Sequence, residues 1–215
     1  METVGRRERK KLQTRQLLTD TARRLFAERG FEQVSVAEIA READVAEATV
    51  FNYFPTKEDL VYSRLEHFED ELLAAIRDRP AGETILQAFG RFVLQPRGIL
   101  GAPDPQSAQK LLEISRMIAQ SPALLAREHQ IFAGYTIWLT QVIAEETGAG
   151  ADDPRPAVVA TALIGVHRGL IEHVRRHILG GDEDLARIAR STRASTRKAL
   201  DLLAQGLSDY GGKRG

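Results

Sequence analysis

Apolar residues recur at helical spacing along almost the whole chain: Leu18, Ala22, Leu25 and Phe26 early, then Leu60, Leu65, Phe68, Leu72, Leu73 and Ile76. Positions three and four apart share one helix face, so this rhythm predicts amphipathic helices throughout. No run alternates with period two, and neither Asn-Gly nor Asp-Gly is present to turn a hairpin. The chain reads as all-α. Its punctuation has two regimes. Breaks crowd together between residues 30 and 56, whereas the periodic segments beyond 57 are long and are interrupted at Arg79 to Gly82, Pro96 to Pro105, Ser121-Pro122, Gly148 to Pro156 and Gly180-Gly181. A small head, residues 1–56, is expected before a larger helical body, residues 57–215, with a Gly/Lys/Arg tail after Tyr210 that frays.

In the head, Gly30 followed by Phe31 stops a first helix running from Arg7 to Arg29. Ser35-Val-Ala-Glu38 has the spacing of a capping box, which opens a second helix from Val36 to Ala43. Asp44-Val-Ala-Glu47 repeats that spacing, and Thr56-Lys-Glu-Asp59 repeats it again after Pro55. Helices this short are marginal alone, so Ile39, Ala40, Val45, Val50 and Phe54 must share a core with the first helix. Two short helices joined by a tight turn form the unit that offers its second helix to the DNA major groove.

Charge narrows the picture only locally. Thirty basic and thirty acidic residues balance, so no nucleic-acid or membrane partner follows from the whole chain. Residues 1–24 hold eight basic against three acidic side chains, and residues 25–60 hold three against eight. Attraction to DNA must therefore come from the arm Arg6, Arg7, Arg9, Lys10, Lys11 and Arg15, with Lys57 and Arg41, unless the arm is only a solvated helix end. The absence of cysteine excludes disulfides, thiolate catalysis and Cys-based metal sites. The most apolar stretch, Ala157 to Val166, is too short to span a bilayer and the N-terminus is polar and basic, so a cytoplasmic protein without a membrane partner is expected.

The run from Thr21 through Leu25-Phe26-Ala27-Glu28-Arg29-Gly30-Phe31 to Ile39-Ala40, continuing with Ala48-Thr49-Val50-Phe51-Asn52-Tyr53-Phe54-Pro55-Thr56-Lys57-Glu58-Asp59-Leu60, closely resembles the DNA-binding domain of TetR-family transcriptional regulators. The resemblance implies a three-helix helix-turn-helix head on a helical ligand-binding and dimerisation domain. It further implies a homodimer that binds a palindromic double-stranded DNA operator, usually as a repressor, and is released by a small-molecule effector. Carried over by position, the recognition helix is Glu47 to Phe54. Thr49, Tyr53 and Lys57 would meet phosphates, while Glu47, Ala48, Phe51 and Asn52 would face the groove floor; Ser35 and Arg41 on the second helix complete the DNA-facing set. Chemically, Asn52 suits adenine, Glu47 the cytosine amino group, and Phe51 or Ala48 a thymine methyl. The alternatives are a capping role for Glu47 and a place in the core for Phe51. Two positions depart from the family pattern: Asp44 stands where glycine often turns the chain, and Phe51 replaces a usual tyrosine.

In the body, the segment from Ala157 to Ile178 is apolar on nearly every side: Val158, Ala162 and Gly165 form one stripe, Val159, Leu163, Val166 and Leu170 another. Such a helix needs cover on every side, and a second subunit can supply it with Gly165 and Gly169 allowing close approach. The alternative is a monomer core. Phe89, Phe92, Ile114, Met117, Phe132, Tyr135, Trp138 and His167 are the candidate ligand-pocket residues, which as a set suit an apolar or aromatic effector. His173 and His177 have the spacing of two metal ligands, but Arg175 and Arg176 beside them oppose a cation, so neither metal nor cofactor is expected. No Gly-rich phosphate loop, Gly-x-Ser-x-Gly or His-Glu-x-x-His occurs, so catalysis has no support. The rival reading is a helical small-molecule carrier or enzyme that keeps the head only as scaffold.

Overall fold

The computed structural model describes residues 5–63, 67–96, 101 and 105–206, and these carry helices and connections without a strand. In order the helices are α1 (Arg6–Arg29), α2 (Val36–Glu42), α3 (Glu47–Tyr53), α4 (Asp59–Tyr62), α5 (Phe68–Arg77), α6 (Ile85–Val93), α7 (Pro105–Gln120), α8 (Pro122–Thr147), α9 (Arg155–Leu179) and α10 (Leu185–Gln205). Leu65, most of the Pro96 to Pro105 stretch and the tail after Tyr210 lie outside the described residues. The chain divides into two compact units, one holding α1 to α4 with Arg116–Arg127, the other holding Phe68–Ser115 with the chain from Glu128 onward.

The first unit is built on α1, which packs against α2 and α4, while α2 packs against α3. Leu18, Ala22, Leu25 and Phe26 of α1, Ile39 and Ala40 of α2, and Val50, Phe54, Leu60 and Tyr62 are all buried in this unit. Gly30 ends α1 at φ 84°, a conformation that disfavours a side chain, and its N–H donates to the Phe26 carbonyl at 2.8 Å. Phe31 then folds back so that its ring lies 5.1 Å from that of Phe26. The capping box at α2 is complete: the Glu38 N–H donates to Ser35 Oγ at 3.2 Å and the Ser35 N–H donates to Glu38 Oε2 at 2.9 Å. The Ser35 N–H, then Arg29 and the Ser35 hydroxyl, draw the Glu38 carboxyl down to about 2.

The Asp44–Glu47 spacing does not form such a box. Ala46 is the N-cap of α3 and no side chain caps it. Asp44 instead turns the chain with φ 53°, the only non-glycine residue in that region among the described residues. Its departure from glycine is therefore a conformational matter, since Asp enters the left-handed region at lower cost than most residues. Asp44→Gly is expected to raise stability by about 0.5–1 kcal/mol while leaving DNA affinity unchanged, measured by thermal unfolding and gel shift. A lower melting temperature would show that the Asp44 side chain itself holds the turn.

In the second unit α5 packs on α6, α6 on α9 and α10, and α9 on α10. A Cβ on the buried Gly90 of α6 would stand 3.1 Å from Leu200 Cδ1, so α6 and α10 approach across a missing side chain. Thr84 and Gln87 cap α6 reciprocally. Val174, Ile178, Leu185 and Ile188 close the α9–α10 corner. The cover expected all around α9 is present on one side only: Ala160, Leu163 and Ile164 are buried, but Val158 is 65% exposed and no atom lies within 4 Å of a Cβ placed at Gly165 or Gly169. A groove of about 370 Å³ runs along this open side between α9 and α10, lined by Gly165, Gly169, Thr192, Ala199 and Leu203 among others. As a whole, α9 is long and apolar enough to cross a membrane by length and composition, which a count of its ten-residue apolar core alone does not reveal.

Candidate nucleic-acid interface

Helix α3 is seven residues long and commits one fully buried side chain, Val50, to the first unit, with Phe54 buried just beyond it. Glu47, Ala48, Phe51 and Asn52 are exposed on the opposite side, and Thr49 and Tyr53 are half-buried. Phe51 is 46% exposed, so the core alternative for it fails. Glu47 serves no cap, which leaves its carboxylate on the outward face. Ser35 is exposed at the start of α2 and tied to Glu38, and Arg41 is exposed in the last turn of α2.

Two cations of the sequence reading are partly engaged within the head. Arg15 Nη1 donates to the Tyr53 carbonyl at 3.0 Å, and its guanidinium lies 4.1 Å above the Phe54 ring. Lys57 Nζ donates to the carbonyls of Phe31 and Val34 at 3.0 and 3.2 Å and lies 4.1 Å above the Phe31 ring. Arg15 thus fastens the C-terminal end of α3, and Lys57 fastens the turn that leads into α2. Neither role is visible in a count of charges. A third connection joins the local Thr56–Asp59 pattern, legible in the sequence, to long-range partners that are not. Asp59 Oδ2 accepts from the Thr56 N–H and hydroxyl while Oδ1 accepts from Arg127, and the Tyr62 hydroxyl donates to the Leu124 carbonyl at 2.9 Å.

Of the candidate effector residues, Phe92, Phe132, Tyr135 and His167 converge in the second unit around Phe68. Phe68 appears in the sequence only as a beat of helical periodicity. Phe89 is fully buried outside this ring cluster, Ile114 and Trp138 are half-buried, and Met117 belongs to the stretch of α7 in the first unit. Burial, with a contribution from Glu69, pushes the Tyr135 phenol up, so it stays protonated. The His173 and His177 rings lie 4.6 Å apart, with Ser191 Oγ 3.0 Å from His173 Nε2 and Asp182 3.4 Å from His177. Burial, then His177 and Arg176, draw His173 down. No group of three metal-ligating side chains occurs among the described residues.

Comparison with known proteins bears on both units. Residues 18–62 match the family model of bacterial regulatory proteins, tetR family, and residues 100–208 match that of the MftR C-terminal domain. The HTH-type transcriptional regulator TcmR of Streptomyces glaucescens is 30% identical over 206 residues, covering 93% of this chain and 86% of that protein. MftR of Mycobacterium tuberculosis, a transcriptional regulator named for mycofactocin biosynthesis, is 29% identical over 177 residues, covering 79% and 82%. In fold, a TetR-family regulator from Syntrophomonas wolfei superposes with a TM-score of 0.56 at 19% identity, covering 94% of this chain and all of that one. NalD of Pseudomonas aeruginosa, the secondary repressor of the MexAB-OprM efflux pump, gives 0.52 at 18% identity, covering 87% and 96%. Matches to head and body, together with full-length relatives, place this chain in the TetR family of bacterial regulatory proteins, whose members are DNA-binding regulators and not enzymes.

Proposed function

We propose that the protein is a homodimeric repressor that reads a palindromic operator with α3 and leaves it when a small, largely apolar effector binds the second unit. The observation that carries this reading is the outward set Glu47, Ala48, Phe51 and Asn52 on a helix whose other side is anchored by Val50. Each chain offers one such helix, and a two-fold partner would supply the second half-site about 34–36 Å away. The open groove along α9 and α10 supports that pairing, since its small residues admit a second helix pair, and it gives the apolar face of α9 a protein partner in place of lipid. An effector that prefers the dimer with its half-sites at the wrong spacing releases DNA in proportion to its differential affinity. The reading places the protein in the cytoplasm, with its DNA.

Selection of bound sites from random DNA, followed by gel shifts with and without effector candidates, tests it. Asn52→Ala is expected to relax one base pair per half-site at a cost of about 1–3 kcal/mol, with non-specific binding kept. Lys57 has three N–H donors and gives two to carbonyls, so the third remains for a phosphate. Lys57→Ala is therefore expected to weaken all sequences alike and to lower the salt slope by about one. A chain that ignores DNA in dilute buffer overturns the whole reading.

A further inference from the structure

We infer that Tyr135, His167, Phe132 and Phe92 form a slot for a planar, uncharged aromatic ring, and that Phe68 fills this slot when no such ring is bound. The inference deepens the effector reading above and rests on it. The Phe68 ring stacks on Tyr135 at 4.6 Å and 28°, and on His167 at 4.5 Å and 25°. Two rings stacked at that distance cannot share one face without colliding, so Tyr135 and His167 cover opposite faces and Phe68 is sandwiched. Phe132 stands edge-on to both walls, 6.2 Å and 85° from Tyr135, 6.0 Å and 66° from His167. Phe92 meets the Phe68 edge at 5.5 Å and 69°. Three helices, α6, α8 and α9, thus supply two faces, one edge and a ring that braces both walls around the Phe68 ring carried by α5.

Packing alone does not ask for this arrangement. Apart from Phe89, the second unit elsewhere fills its interior with aliphatic side chains such as Leu72, Ile76, Leu139 and Leu163, whereas here an imidazole with both ring nitrogens shielded from solvent serves as a wall. The same shielding excludes an ionised ligand, and flat walls on both faces favour a flat ring over a puckered one. The occupant is also the residue best placed to leave, because Phe68 is the first residue of α5 and helix ends open at the least cost.

Titration calorimetry on the full chain with 4-ethylphenol and its saturated counterpart 4-ethylcyclohexanol tests the slot. The wild type is expected to bind the phenol about tenfold more tightly than the cyclohexanol, and Tyr135→Leu to abolish that preference. Phe68→Ala is expected to bind the phenol about tenfold more tightly than the wild type, because the competing ring is gone. Ile188→Ala opens a cavity at the α9–α10 corner, outside the slot, and is expected to leave phenol affinity unchanged. Should Phe68→Ala fail to fold, Phe68→Leu carries the same expectation, since leucine cannot stack. Equal affinity for the two probes, or the same gain in Ile188→Ala as in Phe68→Ala, overturns the inference. Operator gel shifts run in parallel separate the two ideas: selective phenol binding without DNA release keeps the slot and removes its effector role, and DNA release by effectors with unselective probe binding does the reverse.

Discussion

Glu128→Ala is expected to lower the unfolding free energy by about 3–5 kcal/mol, seen as a large fall in the urea midpoint. Glu128 on α8 is 8% exposed, and both its oxygens accept from the Arg175 guanidinium on α9, at 2.9 and 2.5 Å. The pair is therefore bidentate and largely out of water, the geometry in which attraction offsets the cost of desolvating two charges. Removing Glu128 takes the bidentate carboxylate from a guanidinium that is largely out of water, and that penalty dominates the loss. The double variant Glu128→Leu, Arg175→Met removes both charges and keeps the volume, so it is expected to recover most of the stability. Arg24–Glu28 and Arg168–Glu172 serve as controls: with side chains about half exposed, their loss should cost no more than about 0.5 kcal/mol. A single variant within about 1 kcal/mol of wild type would mean that water reaches the pair and that it adds little to the packing of α8 on α9.

What the sequence discloses and what it hides follow from the range of the interactions. The Gly30 stop and the Ser35–Glu38 box are made by residues within four positions of each other, so their chemistry is written in the local order and α1 to α3 fall where the punctuation puts them. The Asp44–Glu47 spacing shows the limit of that argument. The same pattern arises where Asp is needed for its backbone freedom, and only the dihedral angle tells the two uses apart. A charge count shows Arg15 and Lys57 only as cations, because the carbonyls that also hold them lie 38, 26 and 23 positions away. Periodicity likewise identifies Phe92, Phe132, Tyr135 and His167 as inward-facing without saying that they meet, and it gives Phe68 no rank above its neighbours. The Glu128–Arg175 bridge, spanning 47 positions, leaves no local trace at all.

Arg15→Ala is expected to weaken operator binding by about one to two orders of magnitude while leaving its salt slope intact. A seven-residue helix does not hold together alone, and its last carbonyls lack intrahelical donors. Arg15 meets one of them directly, at Tyr53, and places its positive charge at the negative end of the α3 dipole. It also covers the Phe54 ring that anchors the helix from below. Burial draws the Arg15 pKa down, and Asp59 and Tyr53 oppose the shift; a guanidinium remains charged all the same. A charge-assisted bond of this kind contributes about 1.5–3 kcal/mol, and without it the binding of DNA must also pay for ordering α3. Because the guanidinium is turned into the head, its loss should release no fewer counterions, in contrast to substitution of the exposed Lys10 or Lys11. Arg15→Lys keeps the charge without the planar fork and is expected to recover only part of the affinity. Hydrogen exchange supplies the independent readout: faster exchange at the amides of α3 in Arg15→Ala, with a constant salt slope, identifies a brace for the recognition helix, whereas unchanged exchange and a slope lower by about one would return Arg15 to the phosphate-binding arm.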